Sequence, residues 1–246
     1  MTVGYSRDEL LIAAVARLLE GEGNVAVGSS SPIPAAASLL AQATSNGATR
    51  ALVFRNSIQD PFPESASELY DRIGQGRIDV FFLGGGQIDG EANLNMVGVG
   101  AYPRSRVRFP GCHGTPFIYM MVPRTILFRE EHSLRVLVPK VDFISAPGTS
   151  PPNVRRRGGP TDLITAIAHF RFDRVRRRFT LVSVHPGHSV DEVVERTGFE
   201  FLRAEEVHET PPPSSEQLRL IRGRVAAEVA QTYPEFAASK LGYRAA

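Results

Sequence analysis

The stretch Asp79-Val80-Phe81-Phe82-Leu83-Gly84-Gly85-Gly86-Gln87-Ile88-Asp89-Gly90-Glu91-Ala92-Asn93-Leu94-Asn95 decides how the chain reads. Val80 to Leu83 are apolar without alternation, the pattern of a strand buried on both faces, as in a parallel sheet covered by helices. Three glycines end that strand. With no Cβ in the way, their main-chain N–H groups can approach a ligand, although glycine serves a tight strand-to-strand connection equally well. Gln87, Asp89, Asn93 and Asn95 then place short hydrogen-bonding side chains around the same spot, and a second small, apolar run follows from Met96 to Gly100. A dinucleotide fingerprint does not fit: Gly84-x-Gly86 needs a third glycine where Asp89 stands, and no helical pattern follows.

Upstream, Ser6 with Glu9 three residues on forms a capping box that opens a helix through Leu10, Leu11, Ala14, Val15, Leu18 and Leu19, stopped by Gly21 and Gly23. Asn24 to Val27 reads as a strand. The Gly28–Pro34 loop follows, then an alanine-rich helix through Leu39, Leu40 and Ala43, a strand from Ala51 to Phe54, and a loop with a helical turn over Phe62 to Asp71. Downstream, strands are expected at Thr125–Phe128, Phe143–Ala146, Leu163–Phe172 and Arg178–Val184. The last two form a hairpin whose charged tip is Asp173 to Arg177. Ser189 caps a helix closed by Gly198. Pro211-Pro212-Pro213 separates this body from a helix spanning Ser214 to about Ala230. Strands alternating with helices predict an α/β fold, an open, mostly parallel sheet with flanking helices. The expected organisation is one domain over 1–210 and a helical appendage over 211–246 packed on it.

The composition, 42% hydrophobic and 22% charged, is that of an ordinary globular protein rather than a disordered chain. The net charge of +2 is too small to call for nucleic acid as a partner. A single cysteine, Cys112, excludes an internal disulfide and fits a reducing, cytoplasmic setting. No signal peptide and no apolar run of membrane-spanning length is visible, so no membrane partner is expected.

In open α/β sheets ligands gather at the carboxyl ends of the strands. This brings forward Gly28–Pro34, Arg55–Asp60, Gly84–Asn95 and Gly111–Thr115. Gly111-Cys112-His113-Gly114-Thr115-Pro116 is a second glycine-bounded loop. Its backbone N–H groups suit an oxygen gaining negative charge, and His113 could donate to that oxygen or carry a proton. Arg55, with Asn56 beside it, follows the second strand and suits a carboxylate or phosphate held by a planar fork. Cys112 lacks a local base and reads as an inert thiol. Arg155–Arg157 and Arg174–Arg178 read as solvated basic faces, or as sites for a phosphate or an acidic partner. His185-Pro186-Gly187-His188 has no carboxylate or third histidine at a metal-binding spacing, so no metal site is expected.

The order buried strand, Gly-Gly-Gly-Gln-Ile-Asp, then Asn-x-Asn resembles the β subunit of the glutaconate-type family I CoA-transferases. Further stretches resemble it in order: Asn24–Gly28 with its proline loop and alanine-rich helix, Arg106–Gly111, Val141–Gly148 and Asp191–Phe199. The resemblance implies a fold shared with sugar-phosphate isomerases, an acyl-CoA substrate, and an α-type partner subunit in a heterodimer or heterotetramer. Coenzyme A enters as part of the substrate, and no further cofactor is implied.

Two departures bear on mechanism. In transferases of this type a glutamate just after the second core strand attacks the acyl-CoA carbonyl. The matching position here is Arg55, which cannot attack, and the nearest carboxylates are Asp60 and Glu64. The glycine-rich loop also carries His113 in place of a glycine. With Val182–Gly187, this resembles the CoA-dependent ring-cleaving hydrolase branch, in which the partner subunit supplies the working carboxylate. The residues themselves, read beside the resemblance, give the expected catalytic roles to Arg55 and His113. They give binding roles to Asn56, Gly84, Gly85, Gly86, Gln87, Asp89, Asn93, Asn95, Gly111, Gly114 and Thr115. Hydrolase or lyase chemistry is expected before CoA transfer, and a non-catalytic structural subunit is the reading from a different class. An isomerase would need a lysine beside a carboxylate at the strand ends, and the only lysines are Lys140 and Lys240.

Overall fold

Ser6 caps the first helix as its spacing requires. Its hydroxyl accepts from Glu9 N at 3.2 Å, and its own N–H donates to Glu9 Oε2 at 2.7 Å. The computed structural model describes residues 4–54, 62 and 66–244. Two compact units make up the chain, Met1–Phe81 with Pro211–Ala246, and Phe82–Thr210.

In the first unit, helix α1 (Arg7–Leu18), strand β1 (Asn24–Val27), helix α2 (Pro32–Thr44), strand β2 (Arg50–Val53), helix α3 (Ala66–Gly74) and the start of strand β3 (Val80–Leu83) follow one another. Parallel pairing places β1 between β2 and β3. Leu11, Ile12, Val15 and Leu19 are fully buried, each worth roughly 1.5–3 kcal/mol by transfer from water.

The second unit begins with two short ribbons. Strand β4 (Gln87–Ile88) pairs with β5 (Leu94–Asn95), and β6 (Gly98–Val99) with β7 (Val107–Arg108), both antiparallel. Helix α4 (Thr115–Met121) comes next. It is followed by strands β8 (Arg124–Arg129), β9 (Pro160–Thr165), β10 (Ala168–Asp173) and β11 (Arg178–Val184), helix α5 (Val190–Arg196) and strand β12 (Leu202–Glu209). Within the unit β8/β9 and β11/β12 are parallel, while β9/β10 and β10/β11 are antiparallel. Leaving the two short ribbons aside, four of the six pairings described across both units are parallel, as the buried apolar runs imply. Phe170, Phe172, Phe179, Phe199 and Phe201 knit the hairpin to the 199–201 segment, with ring centroids 4.9–6.1 Å apart.

The last segment of the first unit holds helices α6 (Ser215–Leu220), α7 (Ala226–Ala230) and α8 (Pro234–Leu241), with a π-helical stretch, Ile221–Val225, between the first two. Arg222, in that stretch, donates to Gly4 O and Glu9 Oε2, so it ties the C-terminal helices to the start of α1.

Three expectations change, and one strand went unread. Leu163–Phe172 is two strands, because the Thr165 hydroxyl accepts from Ile167 N and Ala168 N and turns the chain there. Phe143–Ala146 is irregular, held to Leu94 by a single bridge rather than by a ladder. The single helix expected over 214–230 is interrupted by π geometry, and α8 follows it. Strand β12 was hidden by its mostly exposed, charged sequence.

Candidate active site

Steric demand explains the glycines at the end of β3. A Cβ on Gly85 would stand 2.8 Å from Gln87 O, and one on Gly86 would collide with the Phe109 ring. Neither glycine has a positive φ, so the absent side chain matters here, and the dihedral freedom does not.

The polar residues after them face inward. Asp89 closes the 89–93 turn: its Oδ1 accepts from Asn93 N at 3.0 Å and Glu91 N at 3.1 Å, and its Oδ2 accepts from Asn93 Nδ2 at 3.1 Å. Asn93 Oδ1 in turn accepts from Gly148 N at 3.1 Å. Asn95, fully buried, donates through Nδ2 to Gln87 Oε1 and Gly98 O, both at 2.7 Å. Its Oδ1 accepts from Val97 N and Gly98 N at 3.0 and 3.2 Å. Gln87 Oε1 also accepts from Asp142 N at 3.0 Å. These side chains shape the rim of the glycine turn and anchor the irregular 141–148 segment.

The second glycine loop lies against the first. Phe109 N donates to Val97 O, Gly111 N donates to Met96 O, and the Phe109 ring covers Gly86. Gly114, at φ +71°, caps α4 in the left-handed region, and Thr115 N donates to Cys112 O at 2.6 Å. This conformation leaves His113 exposed, Cys112 half-buried and Thr115 buried. Gly84–Asn95 and Gly111–Thr115 are therefore one neighbourhood. Arg55 and Asn56, like Asp60 and Glu64, lie outside the described residues.

Sequence reasoning missed Arg156. Its guanidinium lies 5.1 Å from the centroid of the buried Tyr119 ring and donates to Tyr119 O, Pro147 O and Gly158 O. It thus pins the 147–158 loop to α4 instead of joining a solvated face. Only the carbonyls of Tyr119, Pro147 and Gly158 reveal this role, and no local pattern encodes it. Tyr119 OH donates to Ala92 O at 2.7 Å, linking α4 to the 89–93 turn.

Two buried histidines complete the picture. His132 lies between Thr165 Oγ1 and Thr197 Oγ1, and His185 between Thr210 Oγ1 and Thr165 O, at 2.8–3.0 Å. Burial pushes each down to about 4, so both are neutral near pH 7. Among the described residues no three histidines, cysteines or carboxylates are grouped as a metal would require. No helix among them is long and apolar enough to cross a membrane.

Residues 3–196 match the family model described as Coenzyme A transferase. The chain belongs to that family. It is 30% identical over 251 residues to the B subunit of 3-oxoadipate CoA-transferase from Pseudomonas knackmussii, covering 91% of this chain and 95% of that protein. It is 29% identical over 159 residues to the cholesterol ring-cleaving hydrolase IpdB subunit of Rhodococcus jostii, covering 63% and 62%. The solved structure of IpdAB from Rhodococcus jostii superposes with a TM-score of 0.76 at 24% identity, covering 90% of this chain and 94% of that one, a likeness of fold.

Proposed function

We propose that this chain is the B-type subunit of a two-subunit enzyme acting on an acyl-CoA thioester, and that the complex cleaves its substrate with water instead of passing CoA to a second acid. Arg55 carries the second half of this reading. The strand Arg50–Val53 is followed, after Phe54, by an arginine where the transferase pattern calls for a nucleophilic glutamate. A guanidinium stays protonated and cannot form the acyl anhydride through which CoA is exchanged. It suits the binding of a substrate carboxylate. His113, exposed on the loop beside the glycine turn, fits a donor to charge developing on the thioester or acyl oxygen. The names of the relatives, which are those of paired subunits, support an α-type partner, and coenzyme A enters as part of the substrate.

True CoA transfer is the second reading, favoured by the 30% identity to a transferase along nearly the whole chain. The test is acceptor dependence. The chain co-expressed with its partner should consume a range of acyl-CoA thioesters with no second carboxylic acid present. Consumption only when an acceptor acid is added would establish transfer.

A further inference from the structure

A cleft of about 840 Å³ in the second unit is lined mostly by residues that the site above does not use. It opens between the 89–93 turn, the 139–144 segment, the tip of the β10–β11 hairpin and the 198–200 segment, and its size suits a small-molecule ligand. Four exposed cations line it: Lys140, Arg176, Arg177 and Arg178. Among the described residues only Arg176 has a carboxylate within ion-pair distance, Asp173 at 3.7 Å.

The acidic side of the cleft is weaker. Asp89 is buried and its oxygens are taken up by the backbone and Asn93. Glu91 and Glu200 are exposed at the rim, and neither pairs with the cations among the described residues. The arginines project from a turn with a fixed shape. Asp173 Oδ1 accepts from Val175 N at 2.8 Å and Arg176 N at 2.9 Å, and Arg177 sits at φ +54°. Beside the cations, Ile144 is 48% exposed and Pro139 adds more apolar surface.

Cations suit phosphates, an apolar ledge suits a flat heterocycle, and rim carboxylates suit ribose hydroxyls. We propose that this cleft binds the phosphate-bearing part of a nucleotide, held by Lys140 and the arginines of the hairpin tip. The ligand is either a free nucleotide or the nucleotide end of the coenzyme, and the second source rests on the acyl-CoA reading above. A concave cleft of this size favours a nucleotide over an acidic peptide.

The test uses the chain purified with its co-expressed partner. Calorimetry compares adenosine 3′,5′-bisphosphate, adenosine and polyglutamate on the parent, on the double variant Arg176→Glu/Arg178→Glu and on Lys140→Gln. Circular dichroism checks that each variant remains folded. The bisphosphate should bind the parent more tightly than adenosine. Each removed cation should weaken it by about tenfold, the scale of one charge-assisted hydrogen bond. If the ligand is the coenzyme, the double variant should raise KM for acyl-CoA and leave KM for the matching acyl-pantetheine unchanged. Weaker bisphosphate binding with both KM values unchanged supports a free nucleotide as ligand. Bisphosphate binding by a complex inactive on every acyl-CoA would sink the functional reading and uphold the cleft. No bisphosphate binding, equal binding by parent and variants, or tighter binding of polyglutamate would overturn the proposal.

Discussion

Asn95 shows how a buried amide can shape a site without facing it. Its four hydrogen bonds join Gln87, the Val97–Gly98 backbone and, through Gln87, the 141–148 segment. Asn95→Ala would strand the buried N–H of Gly98 and the half-buried one of Val97, and leave Gly98 O without its partner. A loss of about 2–4 kcal/mol in urea unfolding is expected. Asn95→Asp should cost at least as much, since it turns a carboxylate oxygen towards Gln87 Oε1 and Gly98 O. A change below about 0.5 kcal/mol in both variants would show the network to be incidental. Arg55 and His113 should separate kinetically in the co-expressed complex. Arg55→Ala should lower kcat/KM by roughly 30- to 1000-fold through lost carboxylate binding, and Arg55→Lys should recover part of it. His113→Ala should lower kcat with little change in KM, as expected for a group that acts on charge in the transition state. Parental kinetics in both would make them bystanders.

At the scale of elements, the two histidines tie together the ends of β8, β9, β11, α5 and β12. The Thr197 hydroxyl donates to Val193 O, so it accepts from His132 Nε2–H. Likewise His185 Nε2–H donates to Thr165 O, leaving Nδ1 to accept from Thr210. Burial disfavours the charged imidazolium in each case. Both folded values, near 4, lie below the ordinary 6.5, so the unfolded chain binds more protons between them. Stability from these groups is fully present above about pH 6.5, declines as pH falls towards 4, and levels off below that. The loss is on the order of 3 kcal/mol per histidine at the acid limit. Urea unfolding across this range should show the slope, and His185→Gln should remove about half of it, leaving the share of His132. A pH-independent midpoint between 6.5 and 4 would contradict the neutral network.

Elements with a strong local signature were legible: the α1 capping box, the start of β1, the buried run of β3, and the hairpin with its charged tip. The 141–148 segment was not, because its backbone is held by Gln87, Asp89 and Asn93, more than fifty positions away in the chain. Reading Gln87, Asp89, Asn93 and Asn95 as one spot was possible from spacing. Their inward direction was not, since it depends on that same distant backbone.

At the scale of the whole molecule, the exposed Tyr102, Val107 and Phe117 stand on the segments that flank His113, at 58, 45 and 39% exposure. Partly exposed aromatic and apolar side chains beside the candidate loop fit a face that a partner covers. The chain expressed alone should therefore be inactive and self-associated, and co-expression with an α-type subunit should restore a defined complex. A soluble monomer that turns over a CoA thioester unaided would refute the two-subunit account.

On the proposed reading, this chain contributes no acyl-accepting carboxylate. Borohydride trapping of the active complex during turnover of an acyl-CoA, followed by mass spectrometry of this subunit, tests this. The account predicts substrate consumption with every carboxylate of the chain unmodified. A reduced or CoA-bearing adduct on Asp60 or Glu64 would contradict it and make the chain a transferase subunit with its nucleophile displaced from position 55.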